Sequence, residues 1–302
     1  MKLFSARFPI LKEITRRRLS ALFFVFLFLN LFGSKTEAQN FRCTYRYSFK
    51  NTPKGAYGYF DNMKMDFFNS QAIYYCESAF LRDSLKAIAY DTNGRLVNNE
   101  AYAEMTRIPV GVRDFVLTDF ALGNVRVYHQ VATIFILGES RKILPEWGLH
   151  EESRDIAGYT ARKASANYLG RNWEIWYVPE LPASAGPWLL WGAPGLIVYA
   201  QDSEKLFCFE MTYIEDLLDG SRISFLKWYH EDRARTKKNQ FVFPLSRAEA
   251  FHYKMRTDID FYNQTLGRPG NRAYSVDSNG EKRELVFPPY IPLIPLEYWE
   301  KR

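Results

Sequence analysis

Phe41 to Phe49 reads FRCTYRYSF. In an extended chain Phe41, Cys43, Tyr45, Tyr47 and Phe49 fall on one side, and Arg42, Thr44, Arg46 and Ser48 on the other. A period of two with rings on one face is the pattern of a half-buried strand. The alternation recurs outward from there. RNWEIWYV (171–178) places Trp173, Ile175 and Tyr177 on one face and Trp176 and Val178 on the other, broken only by Glu174. That predicts a strand covered on both sides. NVRVYHQVATIFIL (124–137) reads as one long, deeply buried strand, and LFCFEMTYI (206–214) and RISFLKWYH (222–230) read as further strands. In SLKAIAYDTNGRLV (84–97), Asn93-Gly94 supplies the positive-φ turn of a hairpin. The predicted fold is mainly β, an antiparallel sheet in one domain.

One helix is expected. Ser246 followed by Glu249 makes a capping box, and Phe251, Met255, Ile259, Tyr262 and Leu266 form an apolar stripe that Gly267 ends. This predicts a substantial amphipathic helix over 247–266 lying on the sheet, within a domain spanning 39–267. Residues 268–302 are polar and then proline-rich, with Pro288, Pro289, Pro292 and Pro295. Proline denies donors to a central ladder, so this tail is expected to be extended or at an edge. The composition is globular, with 47% hydrophobic and 25% charged residues and no fixed-period repeat. Aromatics make up 17%, including 20 Tyr and 24 Phe, which suits strands.

Residues 1–38 have the order of a secretory signal. Lys12, Arg16, Arg17 and Arg18 precede an apolar run from Ala21 to Phe32, and Thr36 and Ala38 set small residues before a cut at Gln39. The run is shorter than the roughly 20 residues a membrane span needs. This predicts an exported chain, placed in the periplasm or at the outer membrane. The leader also changes the meaning of the net charge of +6. Seven Lys/Arg against two acids in residues 1–38 supply five of those charges. The mature chain is nearly neutral and has no basic excess for nucleic acid, which excludes that partner.

Gly186 to Val198 reads GPWLLWGAPGLIV. Gly186-Pro187 breaks the preceding element, Trp188 to Trp191 suggests a short extended run, and Ala193-Pro194-Gly195-Leu196 fits a type II turn. Gly192 and Gly195 allow a close backbone approach. The aromatic residues make this either a filled strand corner or the rim of a site. Together with IAGYTARKA (156–164) and GRNWEIWYVPELP (170–182), the stretch resembles the signature of the GLPGLI family, with Ala193 standing where the family name has Leu. The resemblance implies an exported protein of the Bacteroidetes envelope with a β-rich fold; it brings no established activity and no catalytic residues. A sheet with a helix across it is in turn similar to the curved half-barrels of lipoprotein-carrier and sigma-factor-regulator domains.

Catalytic signals are weak. His129, His150, His230 and His252 are scattered without metal-ligand spacing and read as surface or edge residues. Cys43, Cys76 and Cys208 match no zinc or redox motif, and either one disulfide or three buried thiols is compatible with their spacing. Neither a nucleophile elbow nor a phosphate loop is present, and no metal or cofactor is implied. Asp83-Ser84-Leu85 matches a short pattern resembling the O-glycan acceptors of exported Bacteroidetes proteins, at the level of chance. The function expected is non-enzymatic binding of a hydrophobic small molecule or an envelope protein, near a membrane surface. Trp173, Trp176, Trp188 and Trp191 would form the contact rim, and Gly186, Pro187, Gly192, Pro194 and Gly195 would hold its turn. The alternatives are an envelope hydrolase with unrecognised residues and a structural accessory to an outer-membrane transporter. Oligomeric state is left open.

Overall fold

The computed structural model describes residues 40–50, 59–131, 134–181, 183–229, 244–246, 250, 273–276 and 282–285, within one compact unit from Gln39 to Arg302. The signal segment, the expected helix stripe from Phe251 to Leu266 and the prolines of the tail lie outside the described residues.

The protein is mainly β. Eleven strands form one antiparallel sheet: β1 (Phe41–Phe49), β2 (Tyr59–Phe68), β3 (Gln71–Cys76), β4 (Phe115–Asp119), β5 (Asn124–Val131), β6 (Ile134–Arg141), β7 (Gly148–Ile156), β8 (Tyr159–Tyr168), β9 (Arg171–Val178), β10 (Leu196–Asp202) and β11 (Phe207–Asp216). Their order is β6-β5-β4-β3-β2-β1-β11-β10-β9-β8-β7, two meanders joined where β1 meets β11. A three-residue strand, β12 (Pro244–Ser246), adds in parallel to β6, and β13 (Ala273–Val276) pairs with β14 (Lys282–Leu285) in a separate hairpin. The sheet is open, ending at β7 on one side and β12 on the other. Tight connections at Asn69-Ser70, Ala157-Gly158 and Leu169-Gly170 have positive φ at both residues, the geometry that matches the twist of hairpin strands.

Each face of the sheet carries a core. The larger one contains Tyr45, Tyr74, Val116, Val125, Val127, Trp173, Phe209 and the buried residues of 183–193. On the other face Ile73, Tyr75, Phe115, Leu117, Tyr128 and Leu137 meet Ile223 and Leu226. The second face is closed by two helices, α1 (Glu77–Ala89) and the short α3 (Ser221–Lys227), and α1 also packs with α2 (Asn99–Arg107). A charged network ties these pieces together. Arg42 donates to both oxygens of buried Asp66 at 2.6 and 2.7 Å, and Arg222 on α3 donates to the Tyr75 hydroxyl at 2.8 Å and to Glu77.

Several local expectations are corrected. FRCTYRYSF and RNWEIWYV are strands, and buried residues do alternate along the first. NVRVYHQVATIFIL is not one strand but the β5–β6 hairpin, closing at Val131↔Ile134. RISFLK is helical because Ile223 and Leu226, three apart, both face the core. The left arm of the supposed hairpin at 84–97 is the end of α1, and only a Tyr90↔Leu96 bridge spans the Asn93-Gly94 turn. All three cysteines are free, since β2 separates Cys43 on β1 from Cys76 on β3.

Candidate functional site

GPWLLWGAPGLIV lies against the larger core. The Leu190 N–H donates to the Pro187 carbonyl at 3.0 Å, and Trp188 takes φ +55°. Trp188 and Leu189 therefore form a turn, not the extended run expected. The Leu196 and Ile197 N–H groups donate outward, to Leu181 and Ala185, so no type II hydrogen bond closes Ala193 to Leu196. Two glycines are required sterically. A Cβ at Gly195, where φ is +155°, would collide with the Val178 carbonyl, and one at Gly186 would meet Ile197 Cβ and the Leu190 carbonyl, both at 2.7 Å. Gly192 has φ +83° and, like Pro194, is exposed, while Pro187 is buried.

The four tryptophans fill the core instead of forming an open rim. Trp173, Trp176, Trp188 and Trp191 are 1, 6, 9 and 1% exposed. Burying a ring of that size contributes more than any other side chain, which draws them inward. They do not converge on one place. Trp173 meets Trp188 and Phe209 with centroids 6.4 and 6.1 Å apart, and Trp191 meets Phe120 at 6.4 Å. Trp176 faces the opposite side of β9, under the Arg154 guanidinium at 4.2 Å. Loop donors are satisfied: Trp191 Nε1 donates to the Ile143 carbonyl at 2.6 Å, and Trp147 Nε1 to the Trp191 carbonyl at 2.8 Å.

A different part of this face is not satisfied. Among the described residues, four buried side-chain atoms have no hydrogen-bond partner: Tyr74 Oη, His129 Nε2, Ser140 Oγ and Trp173 Nε1. Strand register places all four on the loop-covered face. Tyr74 pairs with Val116, Val116 with Val127, and His129 lies two residues beyond Val127. Ser140 pairs with Val125 on the same side, and Tyr74 and Trp173 both contact the Phe209 ring. Buried polar atoms in proteins are overwhelmingly paired, so four on one face require an explanation.

His129 is the most chemically defined of them. Its Nδ1 lies 2.8 Å from Asp114 Oδ2, and Asp114 Oδ1 accepts from the Gln130 N–H at 3.0 Å. Asp114 ends a strap, Gly111–Asp114, whose other members are anchored nearby. The Val112 N–H donates to Asp61 at 2.9 Å, Arg113 pairs with buried Asp83 at 2.7 Å, and Gly111 sits where a Cβ would strike the Cys76 sulfur and the Ser78 hydroxyl. The Cys76 thiol donates to Asp61 at 3.0 Å, and burial pushes its pKa up. Burial likewise holds the Tyr74 hydroxyl well above its ordinary pKa, so it stays protonated. The surface reading of His129 is thus corrected: it is 6% exposed. His150 is exposed and contacts Ser165, whereas His230 and His252 lie outside the described residues. Asp83 and Ser84 are inside α1, Asp83 buried and the Ser84 hydroxyl bonded to the Phe80 carbonyl, so the supposed acceptor triplet is helix interior.

A shallow depression of about 440 Å³ opens at the irregularity in β7, lined by His150, Glu151, Ser153, Thr160, Arg162 and Tyr177. A charged, bulged edge of this kind is a common device against edge-to-edge pairing. Among the described residues no cluster of three or more His, Cys, Asp or Glu could hold a metal ion, and no helix is long and apolar enough to cross a membrane.

The chain matches no known protein-family model and no curated protein. It is similar to solved structures of PNGF-II in two crystal forms, at 14% and 15% identity and a TM-score of 0.46 in each case. The match covers 73% of this chain but 34% and 33% of those, so the chain spans about a third of their length.

Proposed function

We propose that the protein is an exported envelope protein of the GLPGLI type that binds a largely apolar molecule on the inner face of a curved antiparallel sheet, without catalysing a reaction. One observation carries this reading: the unpartnered Tyr74 Oη, His129 Nε2, Ser140 Oγ and Trp173 Nε1 all lie on one apolar face. Groups of that kind are stable when a ligand or ordered water completes them. Curvature is supported by the rings. Tyr74 on β3 and Phe209 on β11 are three strands apart, roughly 14 Å in a flat sheet, yet their centroids are 6.3 Å apart. The helix expected over 247–266 would lie across such a half-barrel. The tryptophans act here as walls, with residues 183–193 filling part of the same face.

A hydrolase is the competing reading, and the Asp114–His129 pair favours it. Among the described residues the Cys76 thiol on this face is not an activated nucleophile for it, since the thiol donates to Asp61 and burial keeps it protonated. Mass spectrometry of the protein from Gln39 onward, purified from the periplasm, tests the binding reading. A bound mass present under native conditions and lost on denaturation is expected. A clean unliganded mass together with turnover of ester substrates would replace binding by hydrolysis.

A further inference from the structure

The bulge in β7 sets opposite charges around open space. Leu149 pairs with Ala164 and Ser153 with Arg162, so β7 takes four steps where β8 takes two. The extra length bows β7 away from its neighbour, and the depression of about 440 Å³ opens at that point. Bulges are over-represented beside functional sites because they re-aim side chains. This one divides its charges between the two faces. On the Trp176 side of the sheet, His150 Nε2 lies 2.8 Å from Ser165 Oγ, and Lys163 pairs with Glu152 at 3.2 Å and Glu174 at 3.3 Å. Glu151 and Arg162, each one residue earlier than Glu152 and Lys163, line the depression instead. Among the described residues neither has an ion-pair or hydrogen-bond partner, while the pair beside them is closed.

The rest of the lining fits between these charges. Ser153, Arg162 and Tyr177 stand directly opposite one another on β7, β8 and β9, with buried Tyr177 as the floor and exposed Leu149 as an apolar wall. The Thr160 hydroxyl is already held by Asp155 at 3.2 Å. Glu151 is two residues along from Ser153, the residue facing Arg162, and such diagonal neighbours lie about 7–8 Å apart. One small molecule therefore reaches both charges. We propose that the depression binds a small zwitterion, a free amino acid or short peptide with an apolar side chain. Its carboxylate takes the guanidinium fork of Arg162, its ammonium takes Glu151, and its side chain lies on Leu149. This site is separate from the apolar face proposed above and does not rest on that reading.

The probes are leucine, leucyl-leucine, N-acetyl-leucine and leucinamide, each titrated calorimetrically into the chain from Gln39 onward. Leucine or leucyl-leucine is expected to bind. N-acetyl-leucine, which lacks the ammonium, and leucinamide, which lacks the carboxylate, should bind about ten-fold more weakly or worse. In Arg162→Gln the advantage over leucinamide should vanish while that over N-acetyl-leucine persists, and Glu151→Gln should do the reverse. Both side chains are exposed, so both variants should keep the melting curve of the parent. Lys163→Gln, on the other face, should leave binding unchanged. Tighter binding of leucine identifies a free amino acid, and of the dipeptide a short peptide. The proposal is overturned by no binding of either zwitterion, by a probe lacking one charge binding as well as they do, or by full affinity in both variants.

Discussion

The Gly186–Ile197 loop and the Tyr74–His129 strip share one face and are built on opposite rules. In the loop, the indole donors of Trp191 and Trp147 are paired, and two glycines leave no room for a methyl group. In the strip, ordered strands bury hydroxyl and imidazole atoms that have no hydrogen-bond partner. A region whose contacts are complete contributes to stability, and a region left incomplete inside an apolar face keeps its contacts for something else. Trp176, Trp188 and Trp191, which draw the eye in the sequence, thus belong to the scaffold, and the binding reading rests on Tyr74, His129 and Ser140 together with Trp173, of which the sequence marked only the tryptophan as a contact.

Substitutions can break this comparison. Trp191→Ala removes a 1%-exposed ring together with its donation to the Ile143 carbonyl and its contact with the Phe120 ring. A loss of about 3–5 kcal/mol by urea unfolding is expected. Gly195→Ala should cost on the order of 2–3 kcal/mol, because its methyl meets the Val178 carbonyl in a backbone region side chains avoid. Tyr74→Phe should change stability by no more than about 0.5 kcal/mol, since the hydroxyl it removes has no partner, while weakening ligand binding. If Tyr74→Phe unfolds the protein as Trp191→Ala does, the two regions are not different in kind. The cysteines sharpen the picture at the smallest scale. Cys43 is fully buried and burial raises its pKa, as it does for Cys76, so both thiols stay protonated and shielded at neutral pH. Alkylation in native buffer should label half-buried Cys208 first, and rapid labelling of Cys43 would contradict the packed β1 face.

The strands were the legible part. Phe41–Phe49 and Arg171–Val178 carry a period of two that only a sheet satisfies, and the sheet is there. RISFLK failed because Ile223, Phe225 and Leu226 fit either period over so short a run, and packing against β3 decided for a helix. The α1 helix was missed because no side chain caps it at Cys76, leaving no start signal. Composition suggested an aromatic rim around Trp188 and Trp191, but exposure of a ring is a property of the fold, not of its neighbours in the chain. The Asp114–His129 pair was invisible for a related reason. The two are fifteen residues apart, and only the β4–β5 register brings carboxylate and imidazole together.

The seam between β1 and β11 also governs how this molecule comes to exist. Thr44 and Thr212 meet across it at a sequence separation of 168 residues. Closing so long a loop costs entropy before any contact is made, so folding waits on a distant encounter and belongs to the slow class of topologies. Until β11 arrives, β1 can pair only with β2, and its other edge stands open to a strand from any neighbouring chain. The centre of the finished sheet is the last place to be protected while it forms. Dilute conditions during refolding should matter more for this protein than any stabilising substitution at its surface.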